Sequence, residues 1–155
     1  MKGVKITHND RPDSQKTKAA DMEAALIDVK VLAQLSADVG AELLPEIIDS
    51  YLSEIPARVE AITTAASLGN CSLVAKEAHP LKSSSAAIGA MQLADLAGVL
   101  ESAGREQNLQ EIEVGTQSLV DTYDRTRDAL LTLDLENHES RKDAPENTSI
   151  KGSEV

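Results

Sequence analysis

The chain has 155 residues, of which 41% are hydrophobic and 26% charged, a composition that suits one globular domain. A net charge of −11 without a Lys/Arg cluster argues against nucleic acid as a partner, and the single cysteine, Cys71, excludes an intramolecular disulfide and a multi-cysteine zinc site. No run approaches the roughly 20 apolar residues of a membrane span, since the best candidate, Met91 to Leu100, is broken by Gln92 and Asp95.

With two Tyr and no Phe or Trp, the core has to be built from Leu, Ile, Val, Ala and Met. Residues 1–18 are polar and aperiodic and read as a disordered arm. Met1 to Ser14 lacks the apolar region of a signal peptide, so a cytoplasmic location is expected. A short first helix is predicted from Asp28 to Asp38, with Leu32, Leu35 and Val39 on one face and Gly40 as its stop. The second starts near Leu43, tolerates Pro45 in its first turn, and carries the stripe Leu44, Ile48, Tyr51, Ile55, Val59, Ile62 and Ala66. Pro56 inside it should kink or split it.

Gly69-Asn70 supplies a stop and a cap, so a third helix is predicted from Cys71 to Ala87, closed by Gly89. The fourth should run from Ala90 to Ala103, burying Leu93, Leu96, Ala97 and Leu100 and ending at Gly104. The fifth should run from Leu109 to Leu133 on Ile112, Thr116, Leu119, Tyr123, Thr126, Leu130 and Leu133. Residues 136–155 then read as a second disordered tail, leaving 19–135 as the folded body. No segment alternates with period two. The expected architecture is all-α, an antiparallel up-down four-helix bundle with a short additional N-terminal helix.

The chemistry concentrates on the third helix. Val74, Ala78, Leu81, Ser85 and Ile88 define its inward stripe, so His79 points away from the core, with Lys82, Ser83 and Ala86 at i+3, i+4 and i+7 on its own face. Ala75, Ser83 and Ala86 ring the imidazole without a large side chain among them, which leaves a clearing where another protein could dock. Lys82 stands one turn away, where a cation offsets charge on a phosphoryl group and disfavours imidazolium. A nucleophilic histidine, an electrostatic partner and open access are what reversible phosphoryl transfer requires. The run Ser83-Ser84-Ser85 has no acid–base partner and reads as small residues for packing. His8 and His138 fall in the predicted tails, and no ligand spacing supports a metal site.

The segment Ala78-His79-Pro80-Leu81-Lys82-Ser83-Ser84-Ser85, followed by Gly89-Ala90 and a helix with Leu93, Leu96, Leu100 and Glu101, resembles the signature of the histidine phosphotransfer domain. The resemblance covers roughly Ile27 to Leu135. It implies that His79 accepts a phosphoryl group from a receiver-domain aspartate and passes it to another receiver, that Lys82 steadies that group, and that Ser83 occupies the docking position. It also implies that Glu101 orients the imidazole through its other nitrogen; without the resemblance, Glu101 reads as an ordinary exposed helix acid. The partners implied are receiver domains of response regulators and hybrid kinases. No cofactor is implied, because any magnesium belongs to the receiver. Two departures stand out. Ser83 replaces the family's usual Gly, and Pro80 directly follows the histidine, where a kink near Lys76 is expected.

The expected function is therefore a phosphorelay carrier without a kinase domain, working as a monomer. The competing reading is a helical module that binds a response regulator without being phosphorylated. A fragment of a larger kinase is a third reading, against which Met1 and the polar ends speak.

Overall fold

The computed structural model describes residues 26–142. They form five helices: α1 (Val29–Val39), α2 (Leu44–Ser67), α3 (Cys71–Ala87), α4 (Met91–Glu106) and α5 (Leu109–Lys142). There is no strand among the described residues. The expected arm at 1–18 lies outside them, as do residues 143–155 of the expected tail. Helices α2 to α5 close a four-helix bundle in which α4 packs most heavily on α3 and then on α5, while α2 packs on α3 and α5. Helix α1 is a short appendage against α2. No helix among the described residues is long and apolar enough to cross a membrane.

The helix starts follow from side chains that satisfy otherwise orphaned backbone N–H groups. Asp28 accepts from Lys30 N at 2.9 Å, Asn70 Oδ1 from Leu73 N at 3.1 Å, and Asn108 Oδ1 from Glu111 N at 3.2 Å. The core is aliphatic, as the composition requires, with Ile55, Ile62, Leu81, Leu93, Leu100 and Leu119 fully buried. Its one internal polar pair joins Tyr51 Oη to Ser85 Oγ at 2.8 Å, and burial pushes the Tyr51 phenol up to about 12. The α3 stripe, Val74 to Ile88, is buried as expected.

Four expectations about helix continuity and ends are corrected. Of the kink or split expected at Pro56, the split does not occur: α2 is continuous from Leu44 to Ser67, and Pro56 is exposed, so the missing donor lies on the solvent side. The α2 stripe also ends on Ala65 rather than Ala66. Helix α5 does not stop at Leu133 but continues to Lys142, so 136–142 are helical rather than tail. That stretch has no apolar stripe in its sequence, but neither Gly nor Pro interrupts it before Pro145, and Glu, Arg and Lys extend a helix that packing has already nucleated.

Gly104 does not end α4 either. The helix runs two residues further, to Glu106, and closes through Gln107 in the left-handed conformation, φ 55. Gly104 is buried in the helix interior because a Cβ there would lie 2.6 Å from Cys71 O and 2.8 Å from Ala75 N. Its missing side chain lets α4 lie against the backbone of α3. Gly89, at φ 81, does close the third helix. Its bare Cα also admits the strand of chain before α1, where Asp28 N donates to Gly89 O at 2.7 Å.

Candidate functional site

The close α3–α4 contact places one turn of each helix face to face. His79 projects from α3 with its side chain 60% exposed, whereas the Glu101 side chain, opposite it on α4, is 4% exposed. His79 Nδ1 lies 2.8 Å from Glu101 Oε1 and Lys82 Nζ lies 2.5 Å from Oε2. Arg105, one turn beyond Glu101 on α4, donates through Nη2 to Oε1 as well. One carboxylate is thus shared by three nitrogen groups, two of them permanent or near-permanent cations.

Bonding by Lys82 and then by His79 holds the Glu101 carboxyl down to about 2, against the opposing effect of its burial; Arg105 adds to the depression. Glu101 is therefore ionised and has only lone pairs to offer, so the Nδ1 contact requires the ring to carry its proton on Nδ1. The neutral imidazole then keeps its lone pair on Nε2. The geometry can hold one tautomer in one orientation and leave the reactive nitrogen facing outward.

The structure brings three sequence-predicted residues, His79, Lys82 and Glu101, into direct contact. Glu101 lies against Nδ1, the nitrogen to which the resemblance assigns it, and is buried, unlike the exposed helix acid it reads as without that resemblance; Lys82 is paired with it in this state. Arg105 was not singled out from the sequence. Its only signal was the i, i+4 spacing to Glu101, which most exposed helices show somewhere.

The expected clearing is divided. Ser83 is exposed and Ala86 half-buried, and both line a shallow groove between α3 and α4 with Met91, Ala94, Gly98 and Val99. Ala75, one turn before His79, lines a separate depression with Gly104 and Arg105. Pro80 leaves α3 unbroken from Cys71 to Ala87. Nearby hydroxyls turn inward onto the helix, Ser83 Oγ to His79 O at 3.2 Å and Ser84 Oγ to Pro80 O at 2.9 Å. Cys71 is half-exposed at the start of α3, with Sγ 3.7 Å from Gly69 O. Among the described residues, no group of three or more His, Cys, Asp or Glu side chains is arranged to hold a metal ion.

The Glu101 cluster has a signature in acid. A carboxyl held at about 2 when folded, against an ordinary value of 4.5, contributes stability that is complete above 4.5 and lost as the pH falls through about 2. Glu101→Gln has no proton to take up there. The difference in urea midpoint between wild type and this variant is therefore expected to narrow steadily between those two pH values. A difference that stays constant across that window would show that Glu101 is not held in this way.

Comparison with known proteins identifies the family. A family model described as the Hpt domain matches residues 46–139, a span that begins in the first turn of α2 and contains His79, Lys82, Glu101 and Arg105. The phosphorelay protein LuxU of Vibrio harveyi is 26% identical over 108 residues, covering 70% of this chain and 95% of LuxU. LuxU of Vibrio vulnificus strain YJ016 is 24% identical over 107 residues, 69% of this chain and 93% of that protein. In fold, the chain is similar to the crystal structure of histidine-containing phosphotransfer protein B from Pseudomonas aeruginosa PAO1. That likeness has a TM-score of 0.68 at 23% identity, over 73% of this chain and 97% of the other. A matched span of this length, carried on the same bundle, shows that the chain belongs to the Hpt domain family.

Proposed function

We propose that His79 is the phosphoacceptor of this histidine phosphotransfer protein, and that it reacts through Nε2 with the aspartyl phosphate of a receiver domain. The observation that carries this reading is the 2.8 Å contact between Nδ1 of an exposed imidazole and a buried, ionised carboxylate. The Nε2 lone pair forms the new N–P bond while the P–O bond of the acyl phosphate breaks, and the electron pair departs with the receiver's carboxylate. The ring keeps its Nδ1 proton and gains positive charge, which Glu101 opposes at close range. Return of the phosphoryl group to a second receiver runs the same step backwards: the carboxylate of that receiver forms the new P–O bond, and the N–P pair returns to Nε2 of a neutral imidazole that still carries its Nδ1 proton.

Lys82, within reach of both Glu101 and the histidine face, is the cation for the transferred group. Ser83 and Ala86, with the apolar floor of the adjoining groove, form the surface on which a receiver sits; Ala75 lines the separate depression one turn before the histidine. The working form is a cytoplasmic monomer, since one chain supplies a complete His79–Glu101 assembly from its own α3 and α4. The donors and acceptors are receiver domains of response regulators and hybrid sensor kinases, and the chain acts as a carrier rather than a kinase.

The test is transfer of radiolabelled phosphoryl from phosphorylated receivers. Label is expected on this chain, lost in acid and retained in alkali, as a phosphoramidate behaves. Label that resists acid, or none from a panel of active receivers, would remove the phosphorelay role.

A further inference from the structure

Arg105 is the one cation at the site that the transfer chemistry leaves unused. Its guanidinium Nη2 donates to Glu101 Oε1, the same oxygen that accepts from His79 Nδ1, while Lys82 occupies Oε2. The arrangement has a cost that Arg105 is placed to remove. A carboxylate 2.8 Å from an imidazole favours the imidazolium form, and an imidazolium carries protons on both nitrogens. An orienting carboxylate therefore threatens to block the very nitrogen it presents. An amide would orient the ring without this penalty, but this chain has Glu at the position.

Lys82, on the other oxygen of the same carboxylate, is the second cation that bears on the ring, and the remaining neighbours add none at Glu101. On α3, Lys76 is exposed and Glu77 is paired with Arg58 of α2; on α4, Glu106 is exposed; on α5, Glu111 is held by Asn108. Among the described residues, the ion pairs to Glu101 come from His79, Lys82 and Arg105. An exposed i, i+4 pair is ordinarily worth little, but here the acid is 4% exposed, so its charge is screened chiefly by these partners rather than by water.

Resting on the assignment of His79 as the acceptor, we propose that Arg105 is a positioning residue which, by sharing Glu101 Oε1, offsets the carboxylate's pull on the imidazole and keeps Nε2 unprotonated at neutral pH without giving up the Nδ1 hydrogen bond. Orientation is then supplied by Glu101, and the proton affinity of the ring is trimmed by the cation behind it. Because a single Nη2 makes the contact, a lysine ammonium can substitute for it.

The test is an NMR titration of His79 with nitrogen-15 detection, alongside the pH profile of phosphoryl transfer. The chains compared are wild type, Arg105→Ala, Arg105→Lys, Glu101→Gln, and Glu101→Gln combined with Arg105→Ala. Loss of Arg105 is expected to raise the His79 midpoint by about one pH unit. The acid limb of the transfer profile should move up by the same amount, with the rate recovering at alkaline pH. Arg105→Lys should keep the wild-type midpoint. In the Glu101→Gln background the same Arg105→Ala change should move the midpoint far less, because the shared oxygen's charge is already gone. An unmoved midpoint in Arg105→Ala overturns the proposal. So does a shift of equal size in both backgrounds, which would mean that Arg105 acts on the ring directly. The titration needs no receiver, so a chain that titrates as expected yet takes no label counts against the acceptor assignment alone.

Discussion

A His79→Gln chain is expected to take up no label from any receiver that labels the wild type, a loss of at least three orders of magnitude. Gln is the informative replacement because its amide can still donate to Glu101 from roughly the position of Nδ1, while it has no nucleophilic lone pair to form an N–P bond. Since the side chain is 60% exposed and Glu101 keeps Lys82 and Arg105, the fold should be nearly unaffected. A change within about 0.5 kcal/mol is the ordinary result for such a site. Equal thermal midpoints with absent labelling would isolate the chemistry. Label persisting at the wild-type rate would move the acceptor to one of the two other histidines, His8 or His138, and empty the site described above of its role.

The largest effect on stability is expected from a change that usually helps a helix. Replacing a helical glycine by alanine gains about 1 kcal/mol in propensity. At Gly104 the new Cβ would meet Cys71 O at 2.6 Å, Ala75 N at 2.8 Å and Ala75 Cβ at 2.9 Å. None of these atoms can swing away as a flexible side chain would, so α4 has to move off α3. Overpacking of this kind costs about 1–3 kcal/mol, and with three rigid contacts the upper end applies. Gly104→Ala should therefore lose about 2 kcal/mol net, lowering the thermal midpoint by roughly 8 °C. It should also slow transfer, because Glu101 sits one turn away on the displaced helix.

Gly98 supplies the contrast within the same helix. A Cβ there meets only the Lys82 Cδ, at 3.4 Å, so Gly98→Ala should hold or raise the midpoint. Should both alanines raise it, the α3–α4 contact is looser than these distances state.

Much of this molecule was legible in its sequence, for reasons that can be located. Helix α3 is bounded by Asn70 and Gly89, one a side-chain cap and the other a positive-φ turn, and the reading from Cys71 to Ala87 matches the structure residue for residue. The buried stripes of α2 and α5 follow the helical repeat. What was missed turns on features that a linear pattern does not encode. Gly104 reads as a stop because glycine commonly is one, yet here it is chosen for what lies across the interface. The end of α5 lacks an apolar stripe in the sequence, so periodicity alone does not reveal it as helix. At the site, His79 and Lys82 announce themselves by spacing on one helix. The burial of Glu101 depends on a neighbour 22 residues away, and Arg105 matters only because Glu101 is buried.

The charged assembly spans a single interface. His79 and Lys82 come from α3, Glu101 and Arg105 from α4, and no hydrogen bond or ion pair to Glu101 among the described residues comes from α1, α2 or α5. Those three helices hold the hairpin in shape chiefly through aliphatic contact, to which α2 adds the Tyr51–Ser85 hydrogen bond and the Arg58–Glu77 ion pair. Their outer faces are thus free to drift in charge and outline, and to be reworked for a different receiver, with effects that add to those at the histidine rather than interfere with them. The docking groove shares the α3–α4 hairpin with the reactive residues, so the surface that a relay can rework without touching its chemistry is that of the three flanking helices.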